Sequence, residues 1–203
     1  MPIRSAIIHN IKGMHEVGLA GMAYYYFDFR DVRKQDCYGL LSSLISQLSV
    51  DLDSCLNILS QLYSDHAPDG NPNIEELKKC MTDMLSLPGQ APIYIIIDAL
   101  NECPNHSGTP SAREEVLGLI EELVYLELPN LHLCVASRLE MDIRTVLKPL
   151  TSLRISLHDE SGQKEDIIAY VKSVVRSDRN MRRWNEEDKK LVIDTLSDQA
   201  DGM

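Results

Sequence analysis

The sequence predicts an α/β protein in which a parallel sheet is flanked by helices. Three observations predict it. Short apolar runs, "MAYYYFDF", "IYIIID" and "LHLCVAS", alternate with longer stretches of helical spacing. The run "IYIIID" is apolar at consecutive positions, as a strand covered on both faces must be. An apolar fraction of 44% over 203 residues is enough for the core of one domain, or of most of a larger one.

The elements follow in order. Ile7, Ile8, Ile11 and Met14 recur at helical spacing, and Gly18 lies just beyond them as a stop signal. The aromatic run 22–29 suits a buried strand. From Cys37 to Leu48 the apolar residues return to helical spacing, and a second helix covers about 52–63. A third opens at Asn73, with Glu76 in the matching place of a capping box, and stops before Pro88-Gly89.

The strand 93–98 comes next, followed by the polar loop "NECPNHSGTP". Ser111 and Glu114 form a second capping box, ahead of a helix carrying Val116, Leu117, Leu119, Ile120, Leu123 and Val124. Residues 131–137 predict another strand. "LRISL" (153–157) alternates as a strand exposed on one face does. Helices over about 162–176 and 185–199 close the chain, and no internal repeat is visible. Four strands separated by helices imply a parallel sheet covered on both faces.

Charge narrows the function classes. With 31 acids against 20 bases the chain stands at −11. Its densest basic group (Arg176, Arg179, Arg182, Arg183, Lys189, Lys190) is interleaved with acids and reads as a solvated helix face. Nucleic acid and anionic membranes are not expected partners. No stretch approaches the roughly 18 apolar residues of a membrane span, and the N-terminus lacks a signal-peptide plan. The five cysteines (37, 55, 80, 103, 134) are an odd number without tight pairing, and read as small buried hydrophobes in a reducing cytosol.

In parallel sheets ligands bind beyond the carboxyl ends of the strands. Asp98 closes its strand at such an edge, where its carboxylate is expected to face the ligand without being buried. A hard divalent cation such as Mg²⁺ takes carboxylate and water oxygens there. The same aspartate also reads as an ordinary turn starter. Cys103 and His106 have a ligand-like spacing, but no second pair is near enough in sequence to complete a zinc site. Ser137 and the scattered histidines form no nucleophile elbow or triad.

Taken together, "YYYFDFRD", "IYIIIDALNECPN", "LHLCVASRLEMDIR" and "LRISLHDESGQKEDIIAYVKSVV" with the terminal "DQADGM" resemble the NACHT domain of fungal signal-transducing P-loop NTPases. Those are large cytosolic proteins of the kind implicated in heterokaryon incompatibility and innate immunity, often carrying ankyrin, WD or TPR repeats. The resemblance runs over nearly the whole chain, 1–203, in the family's order.

It implies ATP or GTP with Mg²⁺ at the strand ends, in a nucleotide-dependent signalling switch. Asp98 matches the Walker B aspartate that holds the metal. Glu102 matches the second acidic position, which helps polarise the attacking water. Asn101 departs from the aspartate common there, so a hydrolytic role falls on Glu102. Arg138 matches the sensor arginine, whose guanidinium can reach the γ-phosphate. Arg30 matches an arginine of less settled role. For Arg30 and Arg138 a surface ion pair is the alternative.

The sequence contains no G-x-x-x-x-G-K-[ST], the loop whose backbone N–H groups and lysine hold the phosphates. "MPIRSAII" occupies its place in the family's order. The chain therefore reads as an internal fragment lacking the central P-loop strand, with the winged-helix region and repeats absent at the other end. Nucleotide binding is expected to be weak or absent and the chain inactive alone. The second reading is a non-enzymatic fragment that self-associates or joins repeat-bearing NACHT proteins through exposed sheet edges, and exposed edges lead to aggregation.

Overall fold

The computed structural model describes residues 3–51, 53–66, 70–106, 108–155, 161–178 and 181–199. The chain divides into two compact units, Met1–Leu150 and Thr151–Met203. In the first, the elements run α1 (Ile3–Glu16), β1 (Gly21–Tyr26), α2 (Cys37–Asp51), α3 (Asp53–His66), α4 (Ile74–Leu85), β2 (Ile93–Asp98), α5 (Ala112–Tyr125), β3 (Leu131–Val135) and α6 (Met141–Leu150). The second unit holds α7 (Ser161–Ser177) and α8 (Glu186–Gln199).

The sheet is parallel, in the order β1-β2-β3. β2 is central because its side chains are apolar on both faces: Ile93, Ile95 and Ile97 enter one core and Ile96 another. Burying each of these isoleucines is worth roughly 1.5–3 kcal/mol. The larger core joins that face of the sheet to Leu40, Leu41, Leu44 and Ile45 of α2, Met81 and Met84 of α4, and Val116 and Ile120 of α5. On the opposite face, among the described residues, α1 packs through Ile8 and Ile11 against Met22, Tyr94, Ile96 and Cys134.

Local chemistry sets the boundaries. Gly18, at φ +72°, takes the left-handed turn that leads from α1 to β1. Both expected capping boxes form. Glu76 N–H donates to Asn73 Oδ1 at 3.0 Å, and Asn73 N–H to Glu76 Oε2 at 2.7 Å. Ser111 and Glu114 do the same at the head of α5. At the outer edge of β1, Tyr24 N–H donates to Gln47 Oε1 of α2, and Gln47 Nε2 donates to Tyr24 O.

Two differences from the sequence reading stand out. The strand expected over 153–157 is not formed in its described part. Leu153, Arg154 and Ile155 pair with no strand, their side chains are exposed, and 156 and 157 lie outside the described residues. Alternation marks one-sided burial, but a strand also needs a hydrogen-bonding neighbour. The sheet therefore has three strands among the described residues. The second difference is α6, which the sequence reading left without an element. Ile143, Val146 and Leu147 pack its inner face onto the larger core.

Candidate functional site

Parallel pairing brings the three strand ends to one edge, and the loops leaving it carry Arg30, Asp98, Glu102 and Arg138. Asp98 is the last residue of β2. It was expected to face solvent, but it is 3% exposed. Side-chain alternation sends it to the same face as Ile96, next to the neighbouring strands, and not off the end of the sheet. Its charge is felt by Cys134, whose thiol is pushed up first by burial and then by Asp98. Asp98 Oδ1 accepts the N–H of Ala99 at 2.7 Å. Ala99 has φ 56°, in the left-handed region, and turns the chain abruptly into the 3-10 turn Leu100–Glu102.

That turn positions Glu102. Glu102 N–H donates to Ala99 O, and Glu102 Oε2 accepts the N–H of Phe29 at 3.3 Å. The second carboxylate thus lies against the loop leaving β1, one residue from Arg30. Arg30 itself makes the ion pair offered as its alternative. Nε and Nη2 donate to Asp28 Oδ1 and Oδ2 at 3.0 and 3.2 Å, with the arginine side chain 75% exposed. The hydrogen bond to Asp28 raises the Arg30 pKa, and the same pairing lowers that of Asp28.

Arg138 lies in the connection from β3 to α6 with its side chain in solvent. Its backbone N–H donates to Asn101 Oδ1 at 3.0 Å, so the asparagine ties the turn bearing Glu102 to the loop bearing Arg138. Leu100 N–H to Ala136 O, at 3.2 Å, is a second tie.

Sequence reasoning missed Arg113. It lies in the first turn of α5, where the helix dipole disfavours a cation. That misfit, together with the acids at 140 and 142, was the only signal available. Its side chain is 8% exposed, and it donates to Cys103 O at 2.9 Å, Asn101 O at 2.8 Å, Asp142 Oδ2 at 3.0 Å and Glu140 Oε2. Burial pulls its pKa down, but the Asp142 and Glu140 hydrogen bonds outweigh this and the net direction is up.

Three of the cysteines are held away from thiolate chemistry. Burial pushes Cys37 and Cys103 up to about 12 and Cys80 to about 11, so all three are protonated thiols at neutral pH. Among the described residues no group of three or more His, Cys, Asp or Glu could hold a metal by itself. Mg²⁺ needs no such cage when phosphate oxygens and water complete its shell, and Asp98 fits that donor set. A cavity of about 150 Å³ opens at the opposite, amino edge of the sheet, beside His15, Leu48, Met84 and Ile93. It contains none of the four predicted residues.

No helix among the described residues is long and apolar enough to cross a membrane. No curated protein and no solved structure matches the chain. The family model described as "Nephrocystin 3, N-terminal" matches residues 3–138, from α1 through β3 to Arg138, and takes in all four predicted site residues. With well over half its length matched, the chain belongs to the nephrocystin 3 N-terminal domain family, a NACHT-related family.

Proposed function

We propose that the chain is a nucleotide-switch module of the signal-transducing NTPase type, akin to the fungal NACHT proteins and cytoplasmic like them. The supporting observation is the pair of hydrogen-bonded loops at the carboxyl edge. Asp98 closes β2, Glu102 follows in the next turn, and Asn101 of that turn holds the Arg138 backbone. In this reading Asp98 is the Walker B carboxylate that binds Mg²⁺, Glu102 orients the attacking water, and Arg138 reaches the γ-phosphate of ATP or GTP. Bound Mg²⁺ supplies charge neutralisation at the phosphate oxygens. Arg30, held by Asp28, contributes positive potential beside Glu102.

The 203 residues include no glycine-rich loop with a lysine, so affinity for Mg·ATP or Mg·GTP rests on few contacts and is weak or absent. Titration calorimetry tests this by comparing the chain with a version carrying a strand and a G-x-x-x-x-G-K-[ST] loop ahead of Met1. Tight binding only in the second supports the reading. Micromolar binding by the unextended chain, or none by either, contradicts it.

A second reading, a non-enzymatic partner of larger NACHT proteins, is favoured by the outer edge of β3. That edge has no strand neighbour among the described residues. Mixing experiments with a repeat-bearing NACHT protein, read by co-elution, separate the two.

A further inference from the structure

Arg113 makes four donations, and they fall into two sets. Nε and Nη2 go to the carbonyls of Cys103 and Asn101, which flank Glu102. Nη1 goes to the carboxylates of Glu140 and Asp142, which follow Arg138. A guanidinium carries five N–H donors in a fixed plane, and four are engaged here. Nothing in helix energetics calls for a cation at this place in α5, so the acceptors account for it.

The same Asp142 Oδ2 also accepts from Asn105 Nδ2 at 3.0 Å, and Asn105 Oδ1 accepts from Ser111 Oγ, the cap of α5 itself. The guanidinium is therefore clamped from the helix end as well. Its reach is long-range in sequence and short in space. It bridges two loops that are also tied by Asn101 to Arg138, Leu100 to Ala136 and Asn105 to Asp142.

We propose that Arg113 is a positioning residue that locks the Leu100–Glu102 turn to the Arg138 loop, so that the acidic end and the arginine end of the candidate site move as one body. In the nucleotide reading, on which this inference rests for its functional meaning, γ-phosphate contact at Arg138 would then be relayed to Glu102 through Arg113 and not through solvent. A planar fork is required. Lysine has one nitrogen and cannot reach acceptors on both loops in this geometry.

Amide hydrogen exchange on the full chain, without nucleotide, tests it. The reporters are Arg138 N–H, bonded to Asn101 Oδ1, and Phe29 N–H, bonded to Glu102 Oε2, neither of which touches Arg113. In Arg113→Met both should exchange at least about tenfold faster, with the β2 amides of Ile95 and Ile97 unchanged, and Arg113→Lys should not restore them. If Arg113→Met does not fold, Glu140→Gln/Asp142→Asn, which leaves the core intact, should give the same selective acceleration.

Uniform acceleration that includes β2 would show a merely structural anchor. Unchanged rates at Arg138 and Phe29, or full rescue by lysine, would overturn the proposal as well. The exchange result is independent of ligand, whereas failure of the nucleotide reading shows in the calorimetry described above.

Discussion

Gln47 and Tyr24 exchange two hydrogen bonds, from Tyr24 N–H to Gln47 Oε1 at 3.0 Å and from Gln47 Nε2 to Tyr24 O at 2.8 Å. The side-chain amide of a helix thereby does at the rim of β1 what a neighbouring strand would do, and covers the middle of an otherwise open edge. Gln47→Ala should cost about 1–2 kcal/mol in urea unfolding and promote self-association, because it frees two backbone groups. Gln47→Glu should be worse, since it sets a carboxylate against the Tyr24 carbonyl. Equal midpoints and elution volumes for all three proteins would show that the plug is idle.

The two carboxylates at the end of β2 should separate by kinetics. In the version supplied with a glycine-rich loop, Asp98→Ala should weaken Mg²⁺-dependent binding. Glu102→Gln should leave binding near normal and lower turnover by roughly a hundredfold. Calorimetry and phosphate release measure the two separately. Full turnover in both variants would move the site elsewhere.

Acid should loosen the Arg113 clamp. Burial pushes the Asp142 carboxyl up, but the N–H of Ile143 and the Arg113 guanidinium together bring it below the usual range. A carboxyl lowered on folding adds stability that is whole above its unfolded pKa of about 3.9 and is lost as pH falls through the lower folded value. Asp142→Asn should therefore be less stable than the parent near neutrality and converge on it in strong acid. A gap that stays constant down to about pH 2 would deny Asp142 this part.

His66 runs the other way. Its Nδ1 lies 2.7 Å from Leu62 O and its Nε2 3.0 Å from Glu76 Oε2, and these contacts, the carbonyl first, raise its pKa. The stabilisation is complete below the unfolded value of about 6.5 and is lost as pH rises through the raised folded value. An NMR titration should find His66 above that value, and Glu76→Gln should bring it back toward it. If the midpoint does not move in Glu76→Gln, the carboxylate is not part of the cause.

Much of the fold was legible because its signals are local. The strand 93–98 was readable from a run of isoleucines, and both helix caps from residues three apart. Asp98 at the strand end followed from parallel topology, while Glu102 and Arg138 were picked out by the family resemblance. What escaped depends on distant partners. The run "LRISL" has the alternation of a strand, but alternation cannot supply a neighbour. Helix α6 is short and carries Pro149 in its last turn, and its stripe of Ile143, Val146, Leu147 and Leu150, although helically spaced, was passed over. Asp98 sits on a buried face that its own strand does not reveal, and Arg113 meets acceptors 27 and 29 residues away.

The uneven clothing of the sheet divides the molecule into an expensive half and a cheap one. On one face α2, α4, α5 and α6 interlock in a continuous core, while on the other α1 rests on a few side chains around Ile11 and Ile96. Among the described side chains α1 contributes few contacts to that face, so it is expected to open at a free energy below that of global unfolding. The face it would uncover is the one that carries Asp98.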